Sequence, residues 1–353
     1  MDIHTEDIIK QSLLNIEAEN YSQAIEDLMQ LTRTHHDLPA IVWKHMALCH
    51  EHIRQYELAI AAYHQALAIE DNIQTHLELF YSNLILGNYL EGFRRMETRI
   101  QYFGKTPGWQ GEEIVGKTVN VIWEIGLGDT IQFLRYVPLL KTLGCNVVVN
   151  IQPELSCLFP DLVSSCQSSD LHVYMMSLPY CFRTELHTIP PPTKIPCRLS
   201  PKKGRVGIAW QGNKLNTYDK HRTVPLLEFI PLFCIPGIEY VCVQKEVSEE
   251  EQALLARYNV KRPPINNFLD TVHILEECEH VVSSCTSVAH LAASMGVPTL
   301  IALGFYHCWR WLKDRSDSPW YPSVRLFRQK KNHDWSVPMG EIGGYLREKQ
   351  WKK

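Results

Sequence analysis

The chain lacks most of the features that would sort it at a glance. No apolar run in its 353 residues is long enough to form a membrane-spanning helix. The first residues, MDIHTEDIIK, carry neither the charged start nor the apolar stretch of a secretory signal peptide. An excess of basic charge is also missing. With 35 Lys and Arg against 39 Asp and Glu, the net charge is -4, which gives no reason to expect a nucleic-acid partner. Lys352 and Lys353 are too few to make a basic tail. Cysteine is present, eleven times, but the number is odd, the positions are scattered and no CxxC pair occurs. A disulfide framework and a zinc site are therefore not expected, and neither a metal nor a cofactor is called for. Together with the missing signal peptide this points to a reduced, cytoplasmic compartment. Finally, no strand-to-helix turn carries the full G-x-G-x-x-G spacing of a dinucleotide site, which disfavours a dehydrogenase or a sugar-nucleotide epimerase.

What is present is an ordinary globular composition, 45% hydrophobic and 21% charged, with room for two or three domains. Residues 1–103 read as helical and repetitive. Trp43, Met46, Ala47, Tyr56, Ala59, Tyr63 and Ala66 follow the spacing by which two antiparallel helices interlock small side chains against large ones, as in a tetratricopeptide repeat. Tyr21 and Ala24 precede Tyr56 and Ala59 by 35 residues, and Tyr89 and Gly92 follow them by 33. This predicts roughly three repeats with degenerate outer units. Such repeats form a groove that holds a peptide or another domain; a purely structural spacer is the alternative. Residues 104–117, GKTPGWQGEEIVGK, read as a linker with Trp109 as a plug against the next domain.

From Thr118 the period changes. Val119, Val121 and Trp123 alternate as a strand. EIGLGD at 124–129 is a turn, Thr130 to Leu143 is predicted helical with Pro138 kinking or shortening it, and Asn146 to Ile151 is a second strand. Asp129 is either a helix cap or a carboxylate presented over a cleft, where it can serve as a general base. Residues 152–204 are irregular and proline-rich, with 189–201 read as an extended crossover. Residues 205–303 then alternate as one doubly wound α/β region: a strand at Arg205 to Trp210, a polar loop at 211–222 holding Lys220, His221 and Arg222, and a helix capped by Ser248. That region closes on a βαβ unit around HVVSSCTSVAHLAASMGVPTLIALG at 280–304. A helix opening at Thr286 or Ser287 aims free N–H groups and a partial positive charge at the ligand edge of a parallel sheet, a seat for a diphosphate. The same residues also read as a plain cap on a core helix. WRWL at 309–312 and WYP at 320–322 are expected to pack back across the domains.

Several blocks, in order, resemble a known family: WQGEEIVGKTVNVIWEIGLGDTIQFLRYVPLL at 109–140, VGIAWQGN at 206–213, SSCTSVAHLAASMGVPTLIAL at 283–303, and WRWLKDRSDSPWYPSVRLFRQ at 309–329. They are similar to tetratricopeptide-repeat proteins whose C-terminal region belongs to glycosyltransferase family nine, the ADP-heptose:lipopolysaccharide heptosyltransferase group. The resemblance implies a helical repeat domain (1–103) and a linker (104–117), followed by a GT-B region of two Rossmann-like halves: an acceptor half at 118–200 and a nucleotide-sugar half at 201–353. It also implies an inverting, metal-independent transfer from a nucleotide-sugar to an acceptor. Asp129 then matches the family's base, beside Gly128. Gly212, Asn213, Lys220, Arg222, Cys285, Thr286, Ser287 and His290 match positions that hold the nucleotide-sugar, with Lys220 or Arg222 neutralising the leaving diphosphate.

Two departures stand out. Cys285 occupies the place of the family's aspartate, and loss of a charge-assisted hydrogen bond there is worth roughly 1.5–3 kcal/mol. The acceptor half is also short, so the repeats are expected to complete the acceptor side, which suits a protein or peptide acceptor. The expected function is a cytoplasmic glycosyltransferase with Asp129 as base, its partners being a nucleotide-sugar and a protein or glycan acceptor. The alternative is a catalytically inactive interaction protein that has kept a GT-B fold.

Overall fold

The structure is a computed structural model, and it describes residues 3–35, 37–160, 162, 168–214 and 219–349. Tyr218 and the middle of the polar loop expected at 211–222, part of the irregular stretch after residue 160, and the terminal lysines lie outside the described residues. The chain divides into two compact units. The first holds residues 1–107 with 183–187 and 308–313; the second holds 108–182, 188–307 and 314–353.

The first unit is helical: α1 (Ile3–Glu17), α2 (Tyr21–Thr34), α3 (Ala40–His52), α4 (Tyr56–Ile69), α5 (Ile73–Ile85), α6 (Tyr89–Met96) and α7 (Thr98–Tyr102). From α1 to α6 each helix packs on the next in sequence. Tyr21, Tyr56 and Tyr89 each open the second helix of a pair, as the spacing predicted. The small residue three positions later is buried each time. At Gly92 the reason is direct: a Cβ there would stand 2.4 Å from Leu84 Cδ2 on the preceding helix. A core of Leu28, Leu31, Val42, Met46, Ala59, Tyr63 and Leu79 runs through the stack. Each fully buried Leu or Val in it contributes about 1.5–3 kcal/mol.

Residues 308–313 also belong to this unit. Trp309 sets its ring edge-on to Tyr89 and Phe93, 6.2 and 5.7 Å away between centroids. Arg54 donates to the Lys313 carbonyl at 2.5 Å, and Lys313 Nζ reaches Glu57 at 3.2 Å. The WRWL stretch, expected to pack back across the domains, is thus a component of the helical body.

The second unit contains two parallel sheets. The smaller has the order β2-β1-β3, from β1 (Thr118–Ile122), β2 (Asn146–Asn150) and β3 (Leu171–Tyr174). The helix expected over 130–143 is divided into α8 (Leu127–Phe133), a 3₁₀ turn (Leu134–Tyr136) and α9 (Val137–Thr142), with Pro138 in the first turn of α9, where its missing N–H costs nothing. A 3₁₀ turn (Pro153–Leu158), β3, another 3₁₀ turn (Met175–Ser177) and α10 (Leu178–Cys181) organise a stretch expected to be irregular. Trp109 is buried: its backbone N–H donates to the His172 carbonyl at 2.7 Å and its ring meets Phe182.

The larger sheet has the order β5-β4-β6-β7-β8. Its strands are β4 (Arg205–Ala209), β5 (Glu239–Cys242), β6 (His280–Ser283), β7 (Thr299–Leu303) and β8 (Val324–Arg328). The associated helices are α11 (Asp219–Arg222), α12 (Ile230–Phe233), α13 (Glu249–Arg257), α14 (Phe268–Glu276), α15 (Ser287–Ser294) and α16 (Ser336–Glu348). Every residue of β7 is buried, as a strand covered on both faces requires. Ser248 caps α13 in a reciprocal box with Glu251, as its sequence predicted. The tail contributes two elements not anticipated, β8 and α16, and α16 buries Met339, Ile342 and Leu346 against the sheet core.

Candidate functional site

The register of the larger sheet decides which loops meet. Ala209 pairs with Ser283 and Ser283 with Ile301, so β4 and β6 end level and β7 runs two residues further in the same direction. The loops that leave them, Trp210 to Asn213, Ser284 to Thr286 and Gly304 to Tyr306, therefore share the carboxyl edge, where open parallel sheets bind ligands. The Ser284 N–H bonds the Ala209 carbonyl at 3.0 Å and ties the first two loops together.

The SSCTS turn is densely hydroxylated, and its residues 283–286 are buried. Ser283 Oγ donates to the Ser284 carbonyl at 2.8 Å and lies 3.1 Å from Thr286 Oγ1. Thr286 is the N-cap residue of α15, yet its hydroxyl makes no capping bond. The first N–H groups of α15, at the positive end of its helix dipole, thus have no cap from the Thr286 side chain. Ser284 is fully buried, and its Oγ has no hydrogen-bond partner among the described residues. Residue types in the sequence mark a hydroxyl-rich turn, but only the structure singles out Ser284 within it.

Arg222 sits differently from expectation. Its Nε donates to Asp219 Oδ1 at 2.9 Å and its Nη1 to the Cys285 carbonyl at 3.3 Å. Its guanidinium fills the space over Gly212, where a Cβ would stand 2.2 Å from Nη2. Asp219 is buried and also accepts from Thr223 Oγ1 at 2.9 Å. Gly212, Arg222 and Cys285 therefore come together, but the Arg222 charge is balanced by Asp219 and the residue braces the basic loop against the SSCTS turn. Cys285 meets it through its carbonyl. Lys220 and Asn213 are exposed on the same loop system. Nearby, the Gly304 Cα approaches the His221 carbonyl so closely that a Cβ would stand 2.1 Å from that oxygen.

Across from α15 stands the GLGD turn. Gly126 is the N-cap of α8 and Asp129 its third residue, with the Asp129 carboxylate reaching back to accept from Gly126 N–H at 2.9 Å. Asp129 is thus a capping residue from inside the first turn, not the N-cap itself. It is half-buried. The preceding loop is fastened by Gln152, which accepts from Thr130 Oγ1 at 2.7 Å and donates to the Ile125 carbonyl at 3.4 Å. Gly128 packs on α15: a Cβ there would lie 2.8 Å from His290 Cδ2 and 3.5 Å from Ser287 Cα. The structure thus sets the GLGD turn against the first turn of α15.

His290 is buried, with Nδ1 2.9 Å from the Tyr321 hydroxyl. It is a packing contact of Gly128 as much as a candidate ligand. Among the described residues, no group of three or more His, Cys, Asp or Glu is placed to hold a metal ion, and no helix is long and apolar enough to cross a membrane.

No protein-family model matches the chain. Protein FlbA of Caulobacter vibrioides is 23% identical over 321 residues, a match covering 75% of this chain and 53% of that protein. The chain thus spans about half the length of this curated relative. Among solved structures, the iron-containing dodecameric heptosyltransferase TibC in complex with ADP-D-β-D-heptose is similar at 10% identity and a TM-score of 0.48, over 68% of this chain and 79% of that one. TibC comes from enterotoxigenic E. coli H10407. E. coli heptosyltransferase WaaC with ADP-2-deoxy-2-fluoro heptose is similar at 11% identity and a TM-score of 0.45, over 66% of this chain and 99% of that one. Scores of this size do not establish a common fold.

Proposed function

We propose that the chain is a glycosyltransferase of GT-B type that moves a sugar from a nucleotide-sugar to an acceptor hydroxyl, with helical repeats of tetratricopeptide type docking a protein or glycan acceptor. The observation that carries the proposal is the juxtaposition of two turns. The uncapped first turn of α15, with the unpartnered Ser284 hydroxyl behind it, faces the turn that presents Asp129, and Gly128 lies in contact with α15. The first provides N–H groups for a diphosphate. The second places a carboxylate where an acceptor hydroxyl can lose its proton as it attacks the anomeric carbon. The bond to the diphosphate breaks with inversion, and the departing charge is taken up by α15 and Lys220. Arg222 holds the basic loop in place through Asp219 and Cys285. Cys285 in place of an aspartate removes one anchor for sugar hydroxyls and shifts the sugar preference. ADP-heptose, bound in TibC, is the first donor to test.

The test is a thermal-shift series with ADP-, UDP- and GDP-sugars. A donor at 100 times its dissociation constant adds about 2.7 kcal/mol of stability. No shift with any of them overturns the reading. A second reading is an interaction protein without turnover, and one observation favours it: Arg222 is already neutralised by Asp219. A donor that binds but is neither transferred nor hydrolysed would select it.

A further inference from the structure

The transferase reading places Asp129 at the reacting hydroxyl, and the inference here rests on that reading while adding residues it does not use. Arg135 lies in the 3₁₀ turn that continues α8 and is only 3% exposed. Its Nε donates to the Gln132 carbonyl at 2.7 Å, and its Nη1 donates to the carbonyls of Pro190 and Trp320 at 3.1 and 2.9 Å. The guanidinium lies over the rings of Trp320 and Tyr321, 5.1 and 4.9 Å from their centroids. Among the described residues it has no carboxylate partner, and Nη2 has no acceptor. A buried cation held only by carbonyls and ring faces is a poor source of stability. What it does provide is a fixed orientation.

That orientation passes on to Tyr321, whose hydroxyl lies 2.9 Å from His290 Nδ1. The imidazole edge in turn occupies the space that Gly128 leaves by having no Cβ. The path therefore leaves the helix of Asp129 at Arg135 and returns to it at Gly128, through two side chains outside that helix. We propose that Arg135, Tyr321 and His290 are positioning residues for Asp129: a latch that fixes α8 against α15 and with it the distance from the carboxylate to the bound donor. His290 then supports the peptide of Gly128 and Asp129 and is not a phosphate ligand. A displacement of 1 Å at a reacting group costs on the order of 100-fold in rate.

Tyr321→Phe in the full chain removes the hydroxyl and keeps the ring under Arg135. With ¹⁵N-labelled histidine and backbone amides, the expected result is one fixed His290 tautomer in the wild type and a mixture in the variant, with shifted Gly128 and Asp129 amides. With a nucleotide-sugar from the ADP, UDP and GDP panel, donor KM is expected to stay within about twofold while kcat falls about tenfold. Arg135→Lys is expected to lower kcat at least as much, because an ammonium cannot serve the carbonyls and both ring faces together. An unchanged tautomer and unchanged amides in Tyr321→Phe overturn the latch, as does an altered tautomer with unchanged kcat. If the wild type turns over no sugar nucleotide, the transferase reading fails and the spectra alone decide whether Tyr321 orients His290.

Discussion

Each unit of the chain contains a fully buried serine, and the arrangements around Ser82 and Ser284 differ. In the helical unit Ser82 Oγ donates to Glu51, which is completely enclosed. Burial, with repulsion from Glu78 added, pushes the Glu51 carboxyl up to about 8 against the bond from Ser82. At neutral pH it is mostly the uncharged acid, and this polar cluster serves itself. In the α/β unit Ser284 is buried to the same degree and its Oγ has no hydrogen-bond partner among the described residues, while Asp129 stands half-buried at the start of α8. A polar group satisfied internally supports the fold, whereas one left unsatisfied beside an uncapped helix calls for a ligand. The carboxylate and the serine in each unit can be altered separately to test this difference.

The largest effect is expected at Asp129. Asp129→Asn keeps an oxygen to accept from Gly126 N–H, so the helix start and the donor-induced thermal shift should persist. Transfer should fall by about 10²–10⁴-fold, the usual contribution of a general base. A turnover rate equal to wild type would remove Asp129 from the mechanism. In the helical unit, Ser82→Ala leaves the buried Glu51 without its hydroxyl donor, and the melting transition of that unit should lose about 1–3 kcal/mol while sugar transfer at saturating donor stays unchanged.

Glu51 also makes the helical unit sensitive to pH in a stated direction. Its folded value of about 8 lies above the ordinary 4.5, so the folded state binds more protons than the unfolded one between those values. Stability should therefore fall as pH rises from about 4.5 and level off above about 8. Glu51→Gln, neutral at every pH and still able to accept from Ser82, should match the wild type near pH 5 and exceed it by on the order of 1–3 kcal/mol near pH 9. Parallel pH profiles for the two proteins would show that Glu51 titrates normally and that the helical cluster is not as closed as its burial implies.

The helical unit was the more legible of the two in sequence, for a physical reason. Its contacts are local, so the spacing of Tyr21, Tyr56 and Tyr89 against small residues three positions on already states which helices pair, and Gly92 shows in the structure why the small residue is needed. In the α/β unit the two turns were legible because glycines and hydroxyls cluster at strand ends. The strand Leu171–Tyr174 was not, since four residues inside a proline-rich stretch show no period. The latch was also hidden: Arg135 and Trp320 are 185 residues apart, and nothing in either segment names the other. The charge balance at Arg222 was missed for a subtler reason. Asp219 stands in the same short segment, but only the fold turns the guanidinium back onto it. A basic cluster in sequence counts charges without saying which are already neutralised.

The smallest expected change is the one that separates the two serines most cleanly. Removing the Ser284 hydroxyl deletes a buried polar atom that has no partner to lose, so Ser284→Ala should leave the α/β transition within about 0.5 kcal/mol of wild type, or raise it slightly. The same methyl-for-hydroxyl exchange costs the helical unit measurably at Ser82, where the partner carboxyl remains behind. If Ser284 serves a ligand, its absence should appear only when the ligand is present: the thermal shift produced by the best nucleotide-sugar should shrink by about 1 kcal/mol, a five- to tenfold loss of affinity. Equal shifts in both proteins would mean that the hydroxyl faces no ligand and that the turn behind α15 is packing. A large loss of stability without ligand would mean that Ser284 has a partner in solution, and the contrast between the two units would then fail at its most exposed point.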